Sequence, residues 1–214
     1  MAADLDFFFD PVCPWAWITS RWVVDVSEQR EYEVDWRFIS LWILNEHNTQ
    51  EWYTPQYRAG HYLGHQGLRI ADAIRLGDDD AGAVGRWYTA IGTALHVGAQ
   101  RDEARSDSLA WYGGLLRANG FDEAYLGAAD DDAHDAYIRA DTELALSRTG
   151  KDVGTPILTF HPGSDSEASF FGPVISKAPR GVEAVELWDA VEKLATMSGM
   201  AELKRSNRLA LDFT

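Results

Sequence analysis

The chain has 214 residues, 46% hydrophobic and 12% aromatic, enough for a sizeable core and against disorder. A formal net charge of −15 argues against nucleic acid and anionic membranes, because phosphate binding needs Lys/Arg clusters that are absent here. No stretch approaches the roughly 20 apolar residues of a bilayer span, the start carries no basic leader, and a lone cysteine excludes an intrachain disulfide, so a cytoplasmic protein is expected.

Leu5 to Phe9 reads as a buried strand, too uniformly apolar to have a solvent face. It breaks at Asp10-Pro11, and Cys13 follows, immediately before Pro14, which suits the first position of a helix. From there Trp15, Ile18, Trp22 and Val26 form a helical stripe. Tyr32 to Leu41 alternates, with Val34, Trp36 and Phe38 on one face, which predicts a second strand and completes a βαβ unit.

Between about 49 and 149 the pattern turns helical, with helices expected over Pro55–Leu76, Ala81–Gln100, Ser106–Asn119 and Asp132–Thr149. Ser106 is the expected cap of the third, and Asn119-Gly120 closes it. The acidic runs Asp78-Asp79-Asp80 and Asp122 to Asp135 read as solvated helix ends or loops. Strand character returns at Pro156–Phe160, with Ala168–Phe171 as hairpin partner, and Val182–Met197 closes the chain as an amphipathic helix. The order βαβ, helical insertion, ββα predicts an α/β thioredoxin fold, residues 1–48 and 150–214, interrupted by a helical insertion domain, residues 49–149.

The chemistry centres on Cys13. A thiolate, not a thiol, attacks disulfides and electrophiles. A cysteine just ahead of a first helical turn meets unsatisfied backbone N–H groups and the positive end of the helix dipole, an effect worth up to about 2 kcal/mol. The bland alternative is a small buried hydrophobe. Its place between a strand and a helix, among large aromatic residues, favours the nucleophile. Of the flanking tryptophans, helical alternation exposes one and buries the other, with Trp15 the better pocket wall. Trp42, Trp52 and Tyr53 follow the second strand and either line an aromatic pocket or cement the insertion. His61 and His65 stand at i and i+4, a zinc-capable spacing, but without an evident third ligand they read as hydrogen-bonding residues, and no metal is expected.

The opening Asp10-Pro11-Val12-Cys13-Pro14-Trp15 resembles the DsbA-like branch of the thioredoxin superfamily. Trp17-Ile18-Thr19-Ser20-Arg21-Trp22, Leu44-Asn45-Glu46, Gln56-Tyr57-Arg58, Gly150 to Pro156 and Phe170 to Lys177 narrow it. Together they are similar to the actinobacterial mycothiol-dependent reductases, including nitroreductases. The resemblance implies Cys13 as nucleophile, Pro156 as a cis-proline preceded by Thr155, and mycothiol as low-molecular-weight thiol co-substrate. It further implies substrate contacts at Asn45 and Tyr57, with a mycoredoxin-type reductant as a possible partner. Trp17, beside the thiol in sequence, and His61, a donor to a substrate oxygen or to the Cys13 thiolate if the insertion folds over the site, are the other expected contacts. A homodimer stays open.

That family carries Cys-Pro-Trp-Cys. Here the fourth position is Ala16, so either the chain works by a monothiol route or Ala16 replaces a resolving cysteine. A monothiol cycle is chemically sufficient, because an external thiol can resolve the adduct. More distantly, the chain resembles kappa-class glutathione transferases and chromene-carboxylate isomerases, which usually carry serine where Cys13 stands. A third reading is a binding module that holds a thiol or aromatic ligand without turnover.

Overall fold

The computed structural model describes residues 3–213. In chain order it holds β1 (Leu5–Phe9), α1 (Pro14–Arg30), β2 (Val34–Phe38), α2 (Leu41–Leu44), α3 (Pro55–Gly77) and α4 (Ala83–Gly92). A π-helical turn (Thr93–Val97) leads to α5 (Arg101–Ser106), α6 (Ser108–Ala118), two 3₁₀ turns (Glu123–Asp130, Asp132–His134) and α7 (Asp135–Thr149). The chain then returns through β3 (Ile157–Phe160), β4 (Ala168–Phe171) and α8 (Gly181–Ala195). Two compact units result: a sheet unit of residues up to Phe9, Cys13–Arg37 and Ala145 onward, and a helical unit of Asp10–Val12 and Phe38–Leu144.

In the sheet unit the strand order is β2-β1-β3-β4. β3 runs antiparallel to both neighbours, with Phe7 opposite Leu158 and Leu158 opposite Phe170. Every residue of β1 is buried, the four apolar ones by their character and Asp6 with the Arg148 guanidinium at 2.6 Å. Fully burying a Leu or Phe stabilises by about 1.5–3 kcal/mol, so this strand anchors the unit. Trp188 of α8 gathers the rest: Trp22, Tyr32 and Phe160 pack on it at 5.4, 5.1 and 5.2 Å between ring centroids. The Trp22 indole donates to the Ala184 carbonyl at 2.8 Å, tying α1 to α8. β2 is shorter than the alternation predicts. Glu31 takes a left-handed conformation to end α1, Tyr32 packs on Trp188, and Ser40 leaves the sheet to cap α2.

The helical unit is built on α3, whose Gly64 and Gly67 allow close approach. A Cβ at Gly64 would collide with the Asp10 carboxylate, and one at Gly67 would lie 2.7 Å from the Tyr112 hydroxyl. Trp87 donates to Gly67 O at 3.1 Å and Tyr112 to Leu63 O at 2.6 Å, bonds that need those backbones uncovered.

Three expected helices change form. Ala81–Gln100 narrows to α4, then widens at Thr93 into the π turn, where Gly98 N bonds Thr93 O and Ala99 turns left-handed. Ser106–Asn119 is broken at Asp107. The true cap is Asp107, whose carboxylate accepts from Ala110 N at 3.0 Å, while Ser106 ends the preceding helix. Asp132–Thr149 begins as a 3₁₀ turn, with α7 proper starting at Asp135. Among the described residues, no helix is long and apolar enough to cross a membrane.

Candidate functional site

Cys13 is the N-cap of α1, in extended conformation, with Pro14 at the first helical position. Its Sγ accepts from Ala16 N at 3.5 Å, so the sulfur lies against the unsatisfied amides of the first turn. Those amides hydrogen-bond a thiolate better than a thiol, and the helix dipole acts in the same direction. The same sulfur lies 3.5 Å from Thr155 O, which can accept the thiol proton. Cys13 is 7% exposed, and the Ala16 methyl is fully buried where the fourth residue of a dithiol motif would stand.

The loop facing Cys13 is anchored from within the sheet unit. The Thr155 hydroxyl donates to Phe8 O at 3.2 Å, and Gly172 N donates to Pro156 O at 2.9 Å. The Thr155-Pro156 and Gly172-Pro173 peptide bonds are both cis, and Thr19 Oγ1 donates to Pro173 O at 2.8 Å. Cys13, Pro14, Trp15, Ala16, Trp17, Thr155 and Pro156 therefore belong to one unit, with Cys13 and Thr155 in direct contact. Trp15 is half-buried, whereas Trp17 is 2% exposed and carries the Arg21 guanidinium 4.1 Å above its ring.

Asn45, Tyr57 and His61 belong to the helical unit. Asn45 closes α2, donating to Leu41 O at 2.9 Å and accepting from Asn48 at 2.9 Å. Tyr57, 56% exposed, forms an aromatic cluster with Trp52, Tyr53 and His61. Arg58 lies over the Tyr53 and Trp42 rings, and Trp42 packs on Tyr62. His61 Nδ1 meets the Tyr53 hydroxyl at 3.3 Å, and burial pushes its pKa down to about 4, keeping the ring neutral.

His65 is not a second ligand beside His61. It joins Ser40 Oγ, 3.0 Å from Nδ1, to Asp135, 2.9 Å from Nε2, and Arg69 grips the same carboxylate in two bonds of 2.6 and 2.8 Å. The row has the composition of a serine nucleophile's relay, but Ser40 is fully buried and its hydroxyl accepts from Ile43 N as the cap of α2. It is a structural brace. No group of three or more metal-capable side chains occurs among the described residues.

Sequence reasoning passed over the peptide that leads into Cys13. Asp10 is fully buried, and its carboxylate accepts from Val12 N at 3.0 Å and Leu41 N at 2.7 Å. Burial pushes its pKa up to about 7, against those two bonds and the Arg101 charge. His96, in the π turn, meets Pro11 O at 3.0 Å through Nε2. A carbonyl only accepts, so Nε2 carries the proton, and Nδ1 accepts from Arg101 Nη2 at 3.2 Å. Burial, reinforced by Arg101, pushes the His96 pKa down to about 4. Arg101 also donates to Val12 O at 3.3 Å. Three side chains thus hold the backbone of Asp10-Pro11-Val12. The Asp-Pro break in the strand was the only signal in the sequence; nothing there pointed to His96 or Arg101.

A thiol at a helix N-cap, opposite an X-Pro loop, is the arrangement that thiol-disulfide exchange calls for. Comparison with known proteins gives the class its family. Residues 12–205 match the family described as Rv2466c-like, mycothiol-dependent nitroreductase Rv2466c, and the chain belongs to it. It is 35% identical over 205 residues to the uncharacterized protein Rv2286c of Mycobacterium tuberculosis, covering 94% of this chain and 81% of that one. A solved structure from Nitrosomonas europaea, described as a candidate protein disulfide isomerase, is similar with a TM-score of 0.56 at 18% identity, covering 90% of this chain and 98% of that one. The fold is the thioredoxin fold with a helical insertion, and by class the chain is a thiol-dependent oxidoreductase.

Proposed function

We propose that the protein is a cytoplasmic, mycothiol-dependent reductase in which Cys13 alone carries the redox chemistry, acting on disulfides or on electrophilic, nitro-aromatic acceptors. The observation that carries this reading is the Cys13 sulfur at the start of α1, bonded to Ala16 N, with a buried methyl where a resolving thiol would sit. The family match supports mycothiol as the co-substrate.

In the cycle, the Cys13 thiolate attacks one sulfur of a disulfide. A new S–S bond forms, the old one breaks, and the leaving thiolate takes the electron pair and a proton. With no second cysteine in the chain, free thiol must attack the adduct. Its thiolate bonds to Cys13 Sγ and releases the second substrate thiol; another thiol then attacks that mixed disulfide and frees Cys13. Two thiols are oxidised to one disulfide, and the substrate gains two electrons and two protons. An electrophilic acceptor follows the same balance where a nitro or carbonyl group stabilises negative charge on the carbon attacked: Cys13 adds to that carbon, a thiol then attacks Cys13 Sγ to form the mixed disulfide, and the carbon leaves with the electron pair and takes up a proton. Trp15, Thr155 and Pro156 would border the reacting sulfur, with Trp17 behind it. Asn45, Tyr57 and His61 remain the proposed substrate contacts from the helical unit.

Intact-mass measurement after exposure to mycothiol disulfide tests the reading. The protein should gain one thiol adduct that clears when reduced mycothiol is added, with acceptor consumed over many cycles. Cys13→Ser should neither gain the adduct nor turn over, while its melting temperature stays that of the parent. Undiminished turnover by Cys13→Ser ends the proposal, and an adduct that never clears favours a binding module.

A further inference from the structure

Each tryptophan flanking Cys13 carries a guanidinium on its face. Arg21 lies over Trp17, and Arg208 lies 4.9 Å above the Trp15 ring. Arg208 comes from the extended segment after α8. That segment is tethered beside the cis Gly172-Pro173 turn: Asp212 N donates to Ser176 O at 2.7 Å, Ser176 Oγ to Leu209 O at 3.3 Å, and Lys177 pairs with Asp212 at 2.9 Å. These bonds give a role to Ser176-Lys177, part of a motif that the proposed function leaves unused. The family match ends at residue 205, so Arg208 and its tether at Leu209 and Asp212 lie beyond it.

Arg208 also differs from most arginines in the chain. Arg30, Arg69, Arg139 and Arg148 each pair with a carboxylate, whereas Arg208 has no carboxylate partner among the described residues. In a chain of 34 acidic and 19 basic side chains, an exposed cation without a counter-charge stands against the general field. Stacking on an indole occupies the guanidinium face and leaves its N–H edge free for the bidentate bonds a carboxylate accepts. Trp15 is two residues from the nucleophile. We propose that Arg208 is a specificity-determining residue, holding an anionic group, such as a carboxylate on the disulfide or electrophile, while Cys13 attacks it.

The inference rests on Cys13 being the nucleophile, and its test separates the two. Second-order rate constants for labelling Cys13 are measured with dithiobis(nitrobenzoate), a dianion, and with dithiodipyridine, which is neutral. Each labelling forms one Cys13–S bond, breaks one S–S bond and releases one thiolate. Arg208→Glu should lower the anionic-to-neutral rate ratio roughly 5- to 10-fold at low ionic strength. The loss should shrink at about 1 M salt, where the screening length is about 3 Å. Arg208→Lys, which keeps the charge, should hold the ratio within about twofold of the parent. An unchanged ratio in Arg208→Glu overturns the inference, as does an equal fall in Arg208→Lys, which would assign the effect to packing of the segment. If neither probe labels Cys13 in the parent protein, both the inference and the reading beneath it fall.

Discussion

The two units bury polar groups in different ways. Among the described residues of the sheet unit, the one strongly buried ionisable side chain outside the thiol is Asp6, and it meets Arg148 at 2.6 Å. The helical unit buries Asp10, His65, Arg69, Asp72, His96 and Asp141. Apolar burial is non-directional, so the sheet unit can be specified by pattern and volume. Buried charges and imidazoles must each find a named partner or cost free energy. The helical unit therefore depends on particular pairings between residues far apart in sequence: Asp10 with Leu41 N, His65 with Asp135, Asp141 with Phe38 N. The peptide leading to Cys13 is held by the second kind of burial, while Cys13 itself is the cap of a helix in the first.

If that contrast is right, the largest stability loss from one truncation belongs to the aromatic centre of the sheet unit. Trp188→Ala removes the ring on which Trp22, Tyr32 and Phe160 pack and leaves a large cavity. It should cost about 3–5 kcal/mol in chemical denaturation. A cost below about 1 kcal/mol would mean the unit is not organised around this ring.

The next effect belongs to the helical unit and appears as pH dependence. Asp10 has its folded pKa raised to about 7, so the unfolded chain ionises first. Its contribution is fully present below about pH 4 and is lost as pH rises to about 7, about 4 kcal/mol over the window. His96 has its folded pKa lowered to about 4, so its contribution is present above about pH 6.5 and is lost as pH falls, about 3 kcal/mol. The two oppose each other over the same range. Arg101 faces both groups and stays charged throughout; Tyr112 and Tyr53 near Asp10 stay neutral there. The parent should thus show a shallow profile between pH 4 and 7 from these groups. Asp10→Asn should make stability rise with pH, and His96→Gln should make it fall. Slopes of the same sign in both variants would break the account of this network.

The sheet unit was legible because its signals are local. Leu5–Phe9 is a run of buried side chains, Pro14 marks a helix start, and the Phe160/Ala168 hairpin is bounded by a Pro-Gly turn. Cys13 could be read as a cap from its two neighbours alone. The errors fall where a distant partner decides. Asp107 rather than Ser106 caps α6, the π turn presents His96 to a carbonyl 85 residues earlier, and Asp10 bonds an amide 31 residues later. No composition or period encodes such a pairing. Arg208 was silent for the same reason: its partner, Trp15, lies at the other end of the chain.

The smallest test uses glycine, where the two kinds of burial meet in one unit. Gly64 lies in the interior of α3, where propensity alone would favour alanine by up to about 1 kcal/mol. A methyl there would strike the Asp10 carboxylate and lie 3.0 Å from Val12 Cγ2, and Asp10 cannot move away without giving up Val12 N or Leu41 N. Gly64→Ala should therefore destabilise by about 1–3 kcal/mol despite the helix preference. Gly114 in α6 is the control, because nothing lies within 4 Å of its added Cβ. Gly114→Ala should stabilise by roughly 0.5–1 kcal/mol through propensity and reduced freedom of the unfolded chain. Opposite signs from the same substitution in the same unit would isolate the close approach to Asp10 as the cause. If Gly64→Ala also stabilises, the carboxylate is not wedged against α3, and the hold on the peptide before Cys13 is looser than its hydrogen bonds indicate.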